Sequence, residues 1–204
     1  MNLQQRTHWI FDMDGTLTVA MHDFEDIRRR LDLPVNQPII EAIAELPPDQ
    51  AMTKRQQLYE IELDLARQAN PQPSAFELLA WLKQQGRQVA VLTRNSRQLA
   101  LETLQTCHLL HFFDERFILG RESAPPKPSP AGVEQILRQW QISADKAVMV
   151  GDYLFDLQAG RQAGTATVYF DVDDSDLWTA EADLRVRSLG ELLKFVKHVR
   201  NKFL

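Results

Sequence analysis

Two acidic residues follow an apolar run near the start of the chain. His8 to Phe11 are strand-forming residues, and Asp12 and Asp14 come just after them. Because side chains alternate along a strand, the two carboxylates are expected to leave its end on the same side. Gly15 then lets the backbone turn sharply. Two carboxylates on one side favour a hard cation such as Mg²⁺ between them, the alternative being a strand-to-loop junction whose acids face water.

Further polar signatures stand at comparable places along the chain. They are Thr93-Arg94-Asn95 after the apolar run Gln88 to Leu92, Lys127 in a proline-rich loop before a helix, and Asp152 with Asp156 after the apolar run Ala147 to Val150. In an open parallel sheet, ligands bind at the carboxyl ends of the strands. We therefore expect these groups to join Asp12 and Asp14 in one site.

The chemistry that such a site supports is phosphoryl transfer. One carboxylate can attack a phosphoryl group and form an aspartyl-phosphate. A second carboxylate, two residues later, can donate a proton to the leaving alcohol and then accept one from the attacking water. The reaction also needs positive charge and fixed donors around the phosphate. Mg²⁺ between Asp12 and Asp152, the ammonium of Lys127 and the hydroxyl of Thr93 would supply them.

Three neighbouring residues are candidates for supporting roles. Arg94 and Asn95 follow Thr93 and are predicted to bind phosphate with it. Asp156 lies four residues after Asp152, so on a starting helix the two side chains face the same way. We expect Asp156 either to ligate the metal through water or to orient Lys127.

The elements that must position these residues alternate between strands and helices. This alternation predicts an α/β fold with right-handed crossovers, in which a doubly wound, Rossmann-like parallel sheet is covered on both faces. One long helical region, residues 19–70, interrupts it, with helices expected over Phe24 to Leu31, Pro38 to Leu46 and Asp49 to Ala69. We therefore predict a core of residues 1–18 and 71–204 and an inserted helical cap of residues 19–70.

Several helix starts carry recognisable capping signals. Ser74-x-x-Glu77 and Ser188-x-x-Glu191 have the spacing of a capping box, in which each side chain caps the backbone amide near the other. Ser96 is expected to begin another helix. Ser129 is predicted to be an N-cap residue with Pro130 at the first helical position.

Composition and charge narrow the class of protein. The chain has 204 residues, 44% hydrophobic and 25% charged, as in ordinary globular proteins. A net charge of −5 argues against non-specific nucleic-acid binding. The single cysteine, Cys107, allows no intrachain disulfide. Residues Met1 to Thr7 are polar and lack the apolar run typical of a signal peptide, and no apolar run has the length of a membrane span. We expect a cytoplasmic protein without a membrane or nucleic-acid partner, either a monomer or a homodimer.

In this order, the motifs resemble those of the haloacid dehalogenase superfamily. They are Asp12-x-Asp14-Gly15-Thr16, Thr93, Lys127 and Gly151-Asp152-x-x-x-Asp156. The chain looks most like the phosphoglycolate-phosphatase-like hydrolases, which carry a helical cap of the C1 type after the first motif. Phosphoglycolate is therefore the substrate suggested at family level.

The resemblance implies a role for each matching residue. Asp12 would be the nucleophile and Asp14 the acid and base. Asp12, Asp152 and the backbone carbonyl of Asp14 would hold Mg²⁺, while Thr93 and Lys127 would bind phosphate. The implied activity is a Mg²⁺-dependent phosphatase that hydrolyses a small phosphorylated metabolite through an aspartyl-phosphate.

Two other functions are compatible with the same residue types. A phosphotransferase or sugar phosphomutase would pass the aspartyl-phosphate to a second hydroxyl. A signalling module phosphorylated on Asp would use a similar set of acids, Thr and Lys, but Asp14 argues against it because a lasting switch does not need efficient activation of water.

Other polar segments have simpler interpretations. Arg28-Arg29-Arg30 is predicted to be a solvated helix face, the alternative being contact with an anionic substrate. Asp171-x-Asp173-Asp174-Ser175-Asp176 lacks the glycine and glutamate of a calcium loop and is predicted to be a solvated loop. His22 is expected to have a surface or packing role.

Overall fold

The computed structural model describes residues 3–21, 23–35 and 37–198 of the chain. His22, for which a surface or packing role is predicted, lies outside the described residues. Along the helices that are described, none is both long enough and apolar enough to span a membrane.

The described residues form a six-stranded parallel sheet, which confirms the predicted fold class. The strands are β1 His8–Phe11, β2 Gln88–Leu92, β3 Ile118–Leu119, β4 Ala147–Gly151, β5 Ala166–Phe170 and β6 Leu184–Val186. Their order in the sheet is β3-β2-β1-β4-β5-β6. Strands β2 and β3 therefore lie on one side of β1, whereas β4, β5 and β6 follow one another on its other side. The boundary between β1 and β4 is the topological switch point.

Eight α-helices connect and cover these strands in the described part of the chain. They are α1 Phe24–Arg30, α2 Ile39–Ala44, α3 Pro48–Gln68, α4 Ala75–Gln84, α5 Arg97–Thr106, α6 Ala131–Trp140, α7 Leu154–Gln162 and α8 Leu189–Lys197. The first three correspond to the helices predicted between residues 19 and 70, with bounds that differ by two residues at most. A 3-10 helix over Glu115–Phe117 comes directly before β3.

Alternation along β1 sends its side chains to two apolar cores. Trp9 and Phe11 are fully buried in a cluster with residues of α4, α5 and α8. Ile10 is fully buried in a second cluster, with residues of α6 and α7. Strands that are apolar on both faces need such cover, because an open parallel sheet buries both of its faces.

Helices α1 to α3 pack around an apolar cluster of their own. Ile27 of α1, Ile43 of α2 and Leu58 of α3 are among its buried members. The two ends of this segment lie side by side, since the amide of Val19 donates to the carbonyl of Asn70 at 2.9 Å. We call residues 19–70 the helical insert below, and we infer that it is the cap.

One of the two predicted capping boxes is wrong, and the other is formed only in part. Ser74 precedes α4, but its φ of +68° is left-handed and its side chain makes no capping hydrogen bond. An N-cap side chain reaches the helix amides from an extended backbone, which Ser74 does not have. Ser188 does cap α8, accepting from the amide of Glu191 at 3.0 Å. The carboxylate of Glu191 accepts instead from the amide of Arg187, at 2.7 Å.

The other two predicted helix starts agree with the structure to within one residue. Ser96 caps α5 by accepting from the amide of Leu99 at 3.2 Å. Before α6, Ser129 accepts from the amide of Ala131 at 3.3 Å, but Pro130 rather than Ser129 is the residue that flanks the helix.

The prediction of a solvated loop after β5 is wrong for Asp171. The residues from Val172 to Asp176 are exposed, but Asp171 is only 3% exposed. Its carboxylate accepts from the amides of Ser175 and Asp176 and from the guanidinium of Arg185. A buried carboxylate needs such partners, and the sequence pattern alone does not reveal that Arg185 of β6 supplies one.

Candidate active site

Asp12 and Asp152 stand at the topological switch point. The amide of Asp12 donates to the carbonyl of Val150 at 2.8 Å, which carries the pairing of β1 with β4 one residue beyond the strand. Asp152 directly follows β4. Their side chains therefore leave neighbouring parallel strands at the same edge of the sheet, where ligands bind in this class of fold.

Three carboxylates and one ammonium group form the centre of the site. Asp12, Asp152 and Asp156 each offer an oxygen atom, and these atoms lie within 4.8 Å of one another. The ammonium nitrogen of Lys127 lies 2.5 Å from Oδ1 of Asp12 and 2.5 Å from Oδ1 of Asp156. Lys127 is only 4% exposed and Asp156 only 2%. Asp156 thus contacts Lys127, as its predicted role in orienting that lysine requires.

The charges in this cluster do not balance. Burial raises the pKa of Asp152 to about 8, with repulsion from Asp12 as the next cause. Burial likewise raises the pKa of Asp156 to about 6, although Lys127 opposes the shift. Burial would lower the pKa of Lys127, but Asp12 and Asp156 outweigh it and raise that pKa. Three ionised carboxylates and one ammonium carry two excess negative charges, which a divalent cation would neutralise.

The donor set fits Mg²⁺ in its chemistry. All three carboxylates supply oxygen, the ligand atom that this hard cation prefers. The hydroxyl of Thr16 donates to Oδ1 of Asp152 at 2.8 Å and so fixes that carboxylate. Gly15 has a φ of +88°, and a Cβ atom there would collide with the carboxylate of Asp152. The backbone between Gly15 and Thr16 therefore shapes the cluster. The role of Thr16 was not predicted, and only its place in the motif pointed to it.

Asp14 lies beside this cluster rather than within it. Its side chain is directed towards β2, where the hydroxyl of Thr93 lies 3.5 Å from its Oδ2 atom. Burial raises the pKa of Asp14 to about 7, and the negative charge of Asp12 is the second cause. Asp14 therefore exists near neutral pH in both its protonated and its ionised form, as an acid that later acts as a base requires.

Thr93 and Asn95 form a buried turn at the N-terminus of α5. The amide of Asn95 donates to the hydroxyl of Thr93 at 3.0 Å, and the side-chain carbonyl of Asn95 accepts from the amide of Ser96 at 2.8 Å. The turn sits where an α-helix begins, and amide groups at a helix N-terminus favour anions. This placement is compatible with the predicted phosphate-binding roles of both residues.

Arg94 is directed towards the helical insert. Its guanidinium donates to Oε1 of Glu41 on α2 at 2.7 Å, and its central carbon lies 5.5 Å from the centre of the Phe155 ring. Arg94 borders the same cavity as Lys127, but its observed partners are groups of the protein. Its phosphate-binding role stays a prediction.

A cavity of about 360 Å³ lies between this edge of the sheet and the helical insert. Every predicted site residue lines it: Asp12, Asp14, Thr93, Arg94, Asn95, Lys127, Asp152 and Asp156. Its volume lies within the range of small-molecule sites. The structure thus brings all of the predicted residues to one cavity.

An ion pair between α3 and the loop after β3 also lines this cavity, and it was not predicted. The guanidinium of Arg121 donates to both carboxylate oxygens of Glu62, each at 3.0 Å. Glu62 is only 8% exposed. A signal was present, because Glu62 follows Leu58 by four residues and so lies on the apolar face of α3.

The three consecutive arginines of α1 differ in their surroundings. Arg29 and Arg30 pair with Asp26 on the exposed surface, as the prediction of a solvated helix face requires. Arg28 departs from that prediction, because it lines the cavity. Its guanidinium donates to the carbonyls of Gln37 and Phe24 at 3.1 and 3.2 Å.

Comparison with known proteins identifies similar sequences. The family model of haloacid dehalogenase-like hydrolases matches residues 9–170. A haloacid dehalogenase-like hydrolase domain-containing protein of Arabidopsis thaliana is 30% identical over 211 aligned residues, covering 90% of this chain and 80% of that protein. A phosphoglycolate phosphatase of Nitrosococcus oceani is 26% identical, covering 79% and 82%.

Solved structures show the same fold. The crystal structure of a hydrolase from Pseudomonas syringae has a TM-score of 0.75 at 21% identity, covering 95% of this chain and 99% of that one. The family match spans most of the chain and includes the acids after β1, the lysine before α6 and the acids after β4. The chain belongs to the haloacid dehalogenase-like hydrolase family.

Proposed function

We propose that this haloacid dehalogenase-like phosphatase hydrolyses the phosphate ester of a small metabolite, with Mg²⁺ and through an aspartyl-phosphate. One observation carries the proposal. Asp12, Asp14, Thr93 and Lys127 come from two strand ends and a loop, yet all four line one cavity. A nucleophile, an acid, a hydroxyl donor and a cation at one place are the parts that phosphoryl transfer needs.

In the first step, a carboxylate oxygen of Asp12 attacks phosphorus. Its bond to phosphorus forms as the bond from phosphorus to the ester oxygen breaks. Asp14, protonated in part because its pKa is raised to about 7, donates its proton to the departing alcohol oxygen. Lys127 contacts Asp12 at 2.5 Å, which fixes the nucleophile and places positive charge beside the phosphoryl oxygens.

In the second step, water attacks the phosphorus of the aspartyl-phosphate. Asp14 is now ionised and accepts a proton from that water. The bond between Asp12 and phosphorus breaks, and inorganic phosphate leaves. The hydroxyl of Thr93, which lies 3.5 Å from Asp14 and lines the same cavity, would donate to a phosphoryl oxygen in both steps.

Asp12 and Asp152 would hold the Mg²⁺, with Asp156 close enough to act directly or through water. When bound, the ion would neutralise charge on the phosphoryl oxygens. The excess of carboxylates over ammonium groups supports this assignment.

Release of phosphate from p-nitrophenyl phosphate tests the proposal. We expect turnover with Mg²⁺, its loss in EDTA and its recovery when Mg²⁺ is restored. Asp12→Asn should lower kcat by about 10³-fold or more, because it removes the nucleophile. Asp173→Asn, the same change at an exposed aspartate, is the matched control and should retain activity.

Two results would contradict the proposal. Wild-type turnover in Asp12→Asn would exclude Asp12 as the nucleophile. Transfer of the phosphoryl group to an added sugar phosphate, without release of phosphate, would indicate a phosphotransferase instead.

A further inference from the structure

We propose that the leaving group of the substrate is an uncharged and largely apolar alcohol, in contrast to the glycolate suggested at family level. The inference rests on the proposed phosphatase function and concerns the half of the cavity that faces the helical insert. That half would hold the alcohol part of the ester while the phosphate lies at Asp12 and Lys127.

The insert lines its half of the cavity mainly with apolar side chains. They are Phe24, Ile27, Pro38, Ile39, Ile40 and Leu58. A carboxylate or sugar moved from water to such a wall would lose hydration without gaining hydrogen bonds. An apolar group would gain from the same transfer, in proportion to the area it buries.

Two aromatic side chains outside the insert also line the cavity. Tyr153 and Phe155 line the cavity from the start of α7, with their ring centres 5.0 Å apart and nearly perpendicular. Aromatic rings in this position offer a flat or apolar group a surface for stacking. These two rings thus add aromatic surface to the lining of the cavity.

The cations around the cavity already have partners. Arg94 pairs with Glu41, and Arg121 pairs with both oxygens of Glu62. A leaving-group carboxylate at either arginine would have to displace a carboxylate of the protein. At Arg121 this would leave Glu62, which lines the cavity and is only 8% exposed, without its partner.

Arg28 is the exception among the described cations that line the cavity. It donates to two backbone carbonyls, and none of the described ion pairs includes it. If the leaving group were charged, its carboxylate would bind Arg28. This makes Arg28 the residue whose substitution separates the two possibilities.

Hydrolysis of benzyl phosphate, phosphoglycolate and glycerol 3-phosphate, each with Mg²⁺, tests the proposal. All three are esters of alkyl alcohols, so that differences in kcat/KM report chiefly on the binding of the leaving group. We expect kcat/KM to be about tenfold or more higher for benzyl phosphate than for the other two, because only its ring buries apolar surface.

Two substitutions in the helical insert test whether its apolar side chains cause the preference for benzyl phosphate. Ile40→Asn makes a half-buried residue of the cavity wall polar. It should raise KM for benzyl phosphate severalfold without a similar rise for phosphoglycolate. Leu46→Asn makes the same kind of change at a half-buried position of the same apolar cluster and is the matched control. It should leave the preference between the esters unchanged.

The possible outcomes distinguish the proposed apolar leaving group from the phosphatase function on which it rests. A higher kcat/KM for phosphoglycolate, lost in Arg28→Gln, would overturn the apolar leaving group while leaving the phosphatase function standing. Equal loss of preference in Ile40→Asn and Leu46→Asn would also overturn it. If no ester is hydrolysed, p-nitrophenyl phosphate included, the phosphatase function fails and this inference fails with it.

Discussion

Lys127 forms ion pairs with two carboxylates of the site. Its ammonium contacts Asp12, which we propose to be the nucleophile, and Asp156, which is almost fully buried. Asp156 is a positioning residue in this arrangement, because it holds the ammonium rather than the phosphate. The pKa of Asp156 is raised to about 6 even with Lys127 beside it, since burial is the larger effect.

Asp171 is a buried acid whose role is structural. Burial would raise its pKa, but the amides of Asp176 and Ser175 and the guanidinium of Arg185 hold that pKa well below its usual range. Because the pKa is lower in the folded chain than in the unfolded one, Asp171 stabilises the fold above about pH 4. That contribution is lost as the pH falls towards the folded-state pKa.

We therefore expect Asp171→Asn to lower the free energy of unfolding by about 2–4 kcal/mol at pH 7. The difference from the wild type should shrink as the pH is lowered below about 4. Urea unfolding at several pH values measures it. Asp173→Asn is the control and should change stability by no more than about 0.5 kcal/mol. A loss of the same size at every pH would contradict the assignment of an ionised, hydrogen-bonded Asp171.

At the scale of elements, two of the described ion pairs join the helical insert to segments that directly follow strands of the sheet. Glu62 of α3 pairs with Arg121 after β3, and Glu41 of α2 pairs with Arg94 after β2. The side chain of Glu62 is 10% exposed and that of Glu41 is 41% exposed. Buried charges are costly without a partner, whereas exposed pairs contribute little.

The two pairs should therefore differ in their effect on stability. We expect Glu62→Gln to lower the free energy of unfolding by about 2–4 kcal/mol, because it leaves Arg121 without its bidentate partner. Glu41→Gln should cost less than about 1 kcal/mol. Urea denaturation measures both, and the double variant Glu62→Gln/Arg121→Met should recover part of the loss. Equal losses for Glu62→Gln and Glu41→Gln would contradict this account.

At the scale of the whole molecule, the cation site joins the two halves of the sheet. Asp12 follows β1 and Asp152 follows β4. The remaining strands lie on opposite sides of this central pair, β2 and β3 beside β1 and β5 and β6 beside β4. A cation held by both acids would bind the folded chain and not the unfolded one. Its binding would therefore stabilise the fold as a whole.

Mg²⁺ should raise the melting temperature of the wild type. At about 100 times the dissociation constant, binding contributes about 2.7 kcal/mol, or roughly 5–10 °C for a chain of this size. Asp152→Asn should lose most of this increase, whereas Asp173→Asn should keep it. Thermal unfolding with MgCl₂ and with NaCl of equal ionic strength measures the effect. An unchanged Mg²⁺ response in Asp152→Asn would exclude Asp152 as a ligand.

The sheet and the place of the site could be predicted because both follow from local patterns. Strands β1 and β2 have the bounds of the apolar runs predicted for them, His8 to Phe11 and Gln88 to Leu92. Asp12 and Asp152 could be expected together, because the carboxyl ends of parallel strands share one edge of the sheet.

The rest depended on contacts between distant parts of the chain. The left-handed backbone of Ser74, the turn of Arg94 towards Glu41 and the burial of Asp171 beside Arg185 are set by tertiary packing. Spacing within a helix or strand gives the face on which a residue lies, but not its partner on another element. The pairing of Glu62 with Arg121 could not be predicted from the sequence for the same reason.

The most direct test of the central claim is a pre-steady-state experiment on Asp14→Asn with Mg²⁺ and p-nitrophenyl phosphate in excess over the enzyme. Nitrophenolate leaves without a proton from Asp14, but hydrolysis of the aspartyl-phosphate still needs Asp14 as a base. We predict a burst of one nitrophenolate per enzyme, with one phosphoryl group found by mass spectrometry on the acid-quenched peptide that contains Asp12. A burst with the phosphoryl group on another residue, or steady turnover with none on Asp12, would contradict the account.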